Sequence, residues 1–304
     1  MHALIDEAKR IHSIERIVFT GGECFLLGKE LDALIAHAHE LELRTRVISN
    51  GYWAVNERAA RERVRTLRGA GLDEMMLSTG TFHQEFVPVG RIAQAARAAV
   101  AAGIGTHISV EECDQSTFDD AVLRDELYAE LAARRISVAH YPWIPDAGKR
   151  GQTAPTHERA IAAEPAAALG RCDQIMTIVS VTPDQILTAC CGFPLEELEA
   201  LRIGSIADRA LDDVLRDAPN ELLKMWLHVA GPGGIAEFVA RHVPGFELPP
   251  SASICQSCVA IQRDERALRA IAEHGAEIAQ TIAAEYVRLQ SGAVQPLPQL
   301  SPSK

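Results

Sequence analysis

Five alternations of an amphipathic helical stretch with a short apolar run, joined by brief connections, constrain this chain more than any other feature. Leu4, Ile5, Ala8 and Ile11 mark a first helical face within residues 3–12, and Ile17-Val18-Phe19 has the β-branched and aromatic composition of a buried strand. Leu31, Leu34, Ile35, Ala38 and Leu41 mark the next helix, followed by a strand at 46–49 closed by Asn50-Gly51. The pattern repeats with helices at 57–68, 92–102 and 119–133 and strands at 74–78, 107–110 and 136–139. Such alternation builds a parallel sheet with right-handed crossovers, either a partial barrel or a doubly wound sheet.

Beyond Tyr141 the pattern breaks. Pro142, Pro145, Gly148, Gly151 and Pro155 crowd a loop, and the Ala-rich stretch 160–169 reads as a linker or short helix. Two strands, 175–181 and 186–189, are joined by Thr182-Pro183-Asp184-Gln185 as a hairpin. Helical stretches follow near 207–217, 220–229 and 234–243. Cys255 and Cys258 are expected in a short loop before a long packing helix, 264–290, and the Pro/Ser-rich tail 291–304 reads as disordered. The expected organisation is therefore a first domain over 1–150, a second over 151–290, and the tail.

Composition removes several function classes. The formal net charge is -11 over 304 residues, and no Lys/Arg run forms a basic patch, which argues against nucleic acid as a partner. No apolar run approaches the roughly 18 residues of a membrane span. The charged, amphipathic N-terminus is not a secretory signal, so a cytoplasmic protein is expected. In that compartment the seven cysteines are reduced thiols available to metals or catalysis.

Two constellations carry chemistry. Gly21-Gly22-Glu23 closes the first strand: the glycines permit positive φ and close backbone approach, and the carboxylate at the strand's C-terminal mouth suits an ammonium group. Cys255-Gln256-Ser257-Cys258 is a CxxC, while Cys172 and Cys190 flank the hairpin and are brought together by it. Together they form a four-thiolate set for zinc or an iron–sulfur cluster, and spacing does not choose between the two.

The accumulated pattern resembles the radical S-adenosylmethionine enzymes with a twitch- or SPASM-like C-terminal domain. Phe19-Thr20-Gly21-Gly22-Glu23 matches that family's strand end, Ser49-Asn50-Gly51 is similar to its Thr-Asn-Gly end of the next strand, and the segment Leu77 to His83 is similar to its Ser-x-Asp-x-x-His stretch. The segment Pro145 to Arg150 resembles the turn after the last barrel strand. Cys172 and Cys190 follow the spacing that opens a SPASM-like domain, and Ile203-Gly204-Ser205-Ile206 resembles the segment after it.

The resemblance implies a partial (βα) barrel, first strand missing, followed by a small iron–sulfur domain. It implies S-adenosyl-L-methionine bound by Gly21, Gly22, Glu23, Asn50 and Ser78, and an auxiliary [4Fe-4S] cluster on Cys172, Cys190, Cys255 and Cys258. It further implies a 5′-deoxyadenosyl radical, an electron donor, and a peptide or protein as substrate.

Departures from the family pattern are equally specific. The CxxxCxxC that would hold the cofactor-reducing cluster does not occur in this sequence, Cys24 replaces a proline, Gly80 an aspartate and Gln185 a glycine. Either the sequence begins inside a longer enzyme or radical chemistry has been lost, leaving an iron–sulfur scaffold or electron carrier. The persistence of Gly21, Gly22, Glu23, Ser49, Asn50 and Ser78 favours the first.

Other groups carry blander expectations. His37 and His39 point to different helix faces. His83 could stand near the mouth, and Glu111 or Glu112 could face it. Cys24 is expected as a small buried residue, and Cys191 competes with Cys190 as a ligand because neighbours in a strand face opposite ways.

Overall fold

The computed structural model describes residues 1–112, 116–142, 170–190, 198–217, 221–249 and 253–292. Cys113, Cys191, the 145–150 turn, the 160–169 stretch and the tail from 293 onward lie outside the described residues. The chain divides into two compact units, Met1–Trp143 and Ile144–Lys304.

The first unit runs α1 (His2–Arg10), β1 (Arg16–Phe19), α2 (Lys29–Glu40), β2 (Arg44–Ser49), α3 (Glu57–Gly69), β3 (Glu74–Gly80), α4 (Thr81–Gln84), α5 (Val89–Ala101), β4 (Gly105–Glu112), α6 (Ala121–Glu126), α7 (Tyr128–Ala132) and β5 (Ile136–Pro142). Its five strands are all parallel and lie in the order of the chain, β1-β2-β3-β4-β5. This order lacks the reversal at which a doubly wound sheet changes direction, and it is compatible with an open segment of a barrel. The expected single helix over 119–133 is two short helices meeting at Leu127.

Alternation along the strands sorts the two sheet faces. Val47, Ser49, Met75, Leu77, Ile108 and Val110 are buried, and the apolar ones join Leu34, Val64, Leu67 and Ile92 of the helices in one core cluster. Their neighbours Arg46, Ile48, Met76, Ser78, His107 and Ser109 are only half-buried. At the N-terminal end of this second face, Glu74 receives Arg16 (3.0 Å), Arg44 (2.9 Å) and Arg46 (Nε, 2.7 Å). Burial works against the Glu74 carboxylate, yet the three guanidiniums hold its pKa below the usual range.

The second unit holds β6 (Ser180–Val181), β7 (Ile186–Thr188) and β8 (Arg202–Ser205) in one antiparallel sheet, then α8 (Leu211–Asp217), α9 (Leu222–Val229), α10 (Gly231–His242), α11 (Ile254–Arg263), α12 (Glu265–His274) and α13 (Ala276–Gly292). The hairpin is present, closed by Gln185 N–H on the Thr182 carbonyl (2.9 Å).

Three expectations need correction here. The strand over 175–181 shortens to its last two residues, because Met176 takes a left-handed φ of 62° and residues 174–178 form a turn. Cys255 and Cys258 are not in a loop; they lie in the first turns of α11, whose N-cap Ser253 accepts the Gln256 N–H. The helix over 264–290 is two helices broken at Gly275. No described helix is long and apolar enough to cross a membrane.

Removing the charge at position 74 leaves three arginines without their shared counter-ion and with one acceptor oxygen fewer. Glu74→Gln should destabilise the first unit by about 2 kcal/mol at pH 7. Because the folded pKa is lowered, the wild-type contribution is present above about pH 4.5 and fades as pH falls through the folded value. The variant should lack that part of the acid limb in urea melts taken between pH 3 and 7.

Candidate functional site

The C-terminal mouth of the parallel sheet is organised by one carboxylate. Glu23 N-caps the short 3-10 turn Cys24–Leu27: Oε1 accepts the Phe25 N–H (3.0 Å), while Oε2 accepts the Asn50 N–H just beyond β2 (2.9 Å). It thereby links the ends of two neighbouring strands. Each carboxylate oxygen has a second lone pair, so both backbone contacts leave capacity for a cation.

Asn50 turns its Oδ1 onto the Tyr52 N–H (3.0 Å), an Asx turn that fixes the loop. Buried Ser49 accepts the Trp53 indole N–H (3.0 Å), and that indole stacks on Phe25 at 4.6 Å. Ser78 is half-buried on β3, its Oγ 3.5 Å from the Ser49 carbonyl. Gly21 has φ of 121°, as its motif predicts; Gly22 does not share it, and a Cβ added to either residue would meet nothing within 4 Å.

The residues flanking this mouth have local roles, and Cys24 is the small buried residue expected of it. Cys24 is buried, and its thiol donates to the Ile48 carbonyl (3.2 Å); burial, reinforced by adjacent Glu23, pushes its pKa up to about 12. Glu111 at the end of β4 accepts the Phe82 and His83 N–H groups of α4 (3.0 and 3.4 Å). His83 Nδ1 lies 3.1 Å from the same carboxylate oxygen without hydrogen-bond alignment. Gly80 makes this capping possible, because a Cβ there would sit 2.1 Å from Glu111 Cγ. Glu112 instead pairs with His140 (2.5 Å), and His37 with Asp6 (2.7 Å).

In the second unit, Cys172, Cys190, Cys255 and Cys258 line one pocket, walled by Ile175, Leu201, Leu227 and Val259 among others. Three local devices bring them there. The Cys172 N–H is held by the Leu227 carbonyl at the end of α9 (2.9 Å). Thr188 Oγ1 donates to the Cys190 carbonyl (3.1 Å) and fixes the chain as it leaves β7. In α11 the CxxC spacing is i,i+3, which sets Cys255 and Cys258 on one helix face.

The pocket gathers four thiols, the donor type that soft metals prefer. The five described cysteines form no disulfide. Gln262 donates its Nε2–H to Cys258 Sγ (3.0 Å), the kind of N–H···S contact that tunes a ligating sulfur. Burial pushes the Cys258 thiol up to about 12; the Gln262 contact opposes this, and Cys190, Cys172 and Cys255 add to it. Burial thus favours the protonated Cys258 thiol, and a metal centre would displace that proton.

Comparison with known proteins adds no name to this geometry: no family model matches the chain, and no curated protein matches it.

The thiols should differ in reactivity. At pH 8 in the metal-free protein, exposed Cys255 should be alkylated first, with Cys24 and Cys258 on the order of 100-fold slower because burial suppresses their thiolate. Mass spectrometry of timed iodoacetamide quenches measures this, and equal rates at the three positions would contradict the burial described.

Proposed function

We propose that this chain is the body of an iron–sulfur protein of the radical S-adenosylmethionine type, acting on a peptide or protein with electrons from a separate donor. The single observation that carries the reading is the convergence of Cys172, Cys190, Cys255 and Cys258 on one pocket. The donor set fits a [4Fe-4S] cluster: all-thiolate, lined by apolar side chains and supplied with one N–H donor at Cys258. A bound cluster supplies one-electron transfer.

At the sheet mouth, the residues that would hold S-adenosyl-L-methionine are Gly21, Gly22, Glu23, Asn50 and Ser78. Glu23 would orient an ammonium group with lone pairs its two backbone contacts leave over. Gly22 would let a ligand come against the backbone, since nothing in the fold occupies the place of its side chain. The sequence contains no CxxxCxxC, so cofactor cleavage is not assigned to these 304 residues. That same fact favours a second reading, an iron–sulfur scaffold or electron carrier, for the chain as it stands.

Two experiments separate the parts of this proposal. Anaerobic reconstitution of the full chain with iron and sulfide should give about four irons per chain and charge-transfer absorption near 400 nm, both diminished in Cys258→Ser. Iron uptake no greater than in a variant with all four ligands replaced by serine would remove the cluster. Independently, Gly22→Ala should leave the melting temperature unchanged and weaken calorimetric S-adenosyl-L-methionine binding about tenfold, a loss of about 1.4 kcal/mol. Unchanged affinity, or no binding by the wild type, would leave the scaffold reading.

A further inference from the structure

His242, His274 and Glu277 form a second cluster, sharing no residue with the cysteine pocket. The three come from three helices: His242 ends α10, His274 ends α12 and Glu277 lies in the first turn of α13. Their ligand atoms all lie within 4.8 Å of one another. Glu277 Oε2 is 3.6 Å from His242 Nε2, and Oε1 is 3.2 Å from His274 Nδ1. An ion bound tetrahedrally at about 2.05 Å sets ligand–ligand edges of about 3.3 Å; the two contacts are close to that length but use different Glu277 oxygens, so the carboxylate must turn for one oxygen to serve the ion.

Gly275 builds the juxtaposition. It breaks α12 from α13, and a Cβ there would stand 2.4 Å from the Ile271 carbonyl oxygen and 2.9 Å from Leu222 Cδ2. His274 and Glu277 lie three residues apart across this break, and both reach His242 at the end of α10. His242 meets Phe238 in a tilted ring contact at 4.6 Å and stacks on His274 at 4.1 Å and 13°. The C-termini of α10 and α12 present two negative helix ends and Glu277 adds a carboxylate, against the single positive N-terminus of α13.

We propose that His242, His274 and Glu277 bind one divalent ion of the zinc class, pinning the ends of α10, α12 and α13 together. Two imidazole nitrogens and a carboxylate select zinc, cobalt or nickel over calcium or magnesium, which prefer all-oxygen sites. Three protein ligands leave the remaining position to water. On binding, the stacked imidazoles must splay so that both lone pairs converge, and the 40% exposure of the His274 side chain gives that ring room to turn.

The test is a Co2+ titration of the full chain, followed by absorption and by equilibrium dialysis, in wild type, His274→Ala, Glu277→Gln and Cys258→Ser. The wild type should take up an ion whose d–d bands carry no thiolate-to-cobalt charge transfer. That ion should bind at least tenfold more weakly in His274→Ala and Glu277→Gln, and with unchanged affinity in Cys258→Ser. Zn2+ should raise the melting temperature of Cys258→Ser, and the added substitution His274→Ala should abolish the rise. Equal Co2+ binding in all four proteins, or loss of a thiolate-ligated ion in the histidine variant, would overturn the proposal.

Discussion

The physical constraint on which the first unit depends is the sequential order of its parallel strands. When each strand lies beside the one before it, right-handed crossovers bring every connecting helix to the same side of the sheet. One face of each strand is thereby committed to the core, and the alternate residues are left on the other. The burial pattern follows this division: Val47, Met75, Leu77, Ile108 and Val110 are sealed, whereas Arg46, Met76, Ser78, His107 and Ser109 are half-exposed. The polar face needs internal compensation, and the three arginines around Glu74 provide it at the N-terminal end of the strands. The opposite end is where backbone N–H groups and a carboxylate remain arranged around Glu23.

How far the sequence discloses this depends on whether the governing interaction is local. Strands and helices of the first unit are legible because their period is repeated five times and their glycines fall at the ends. The second unit is less so. Residues 175–181 have the β-branched content of a strand, but the Met176 N–H is claimed by the Ala189 carbonyl, a contact thirteen residues away that bends the chain out of extension. The helical setting of the CxxC was signalled in the sequence: Ser253 and Gln256 have the spacing of an N-terminal capping box. Two prolines just before it, at 249 and 250, read more strongly as loop. Nothing in the spacing of His242, His274 and Glu277 announces that they meet, since the fold of three helices brings them together.

Gly80, Cys24 and Gln185, where the sequence differs from the pattern it resembles, each have local contacts or backbone geometry of their own. An aspartate at position 80 would need a Cβ where Glu111 Cγ stands, so glycine there and the Glu111 cap on α4 are one arrangement. Cys24 occupies its turn with a hydrogen bond from its thiol to the Ile48 carbonyl. Gln185 adopts φ of 60° in the hairpin, a left-handed conformation that glycine takes without the roughly 1 kcal/mol a side chain costs. None of the three touches the convergence of the cysteines.

The strongest competing view of those cysteines is that they are small apolar residues filling a core. Cys24 shows what such a residue looks like in this chain: solitary, sealed, and hydrogen-bonded to a neighbouring strand. The set in the second unit differs on each count. Its four members share one pocket, Cys190 and Cys172 are only partly buried, and Cys255 is exposed at the rim, where burial of a thiol contributes nothing to stability. An amide N–H is directed at Cys258 sulfur, a contact of little use to a neutral thiol and of greater use to a thiolate. Packing accounts for a buried sulfur. It does not account for four that turn to the same space from a turn, a strand end and a helix, with one of them facing water.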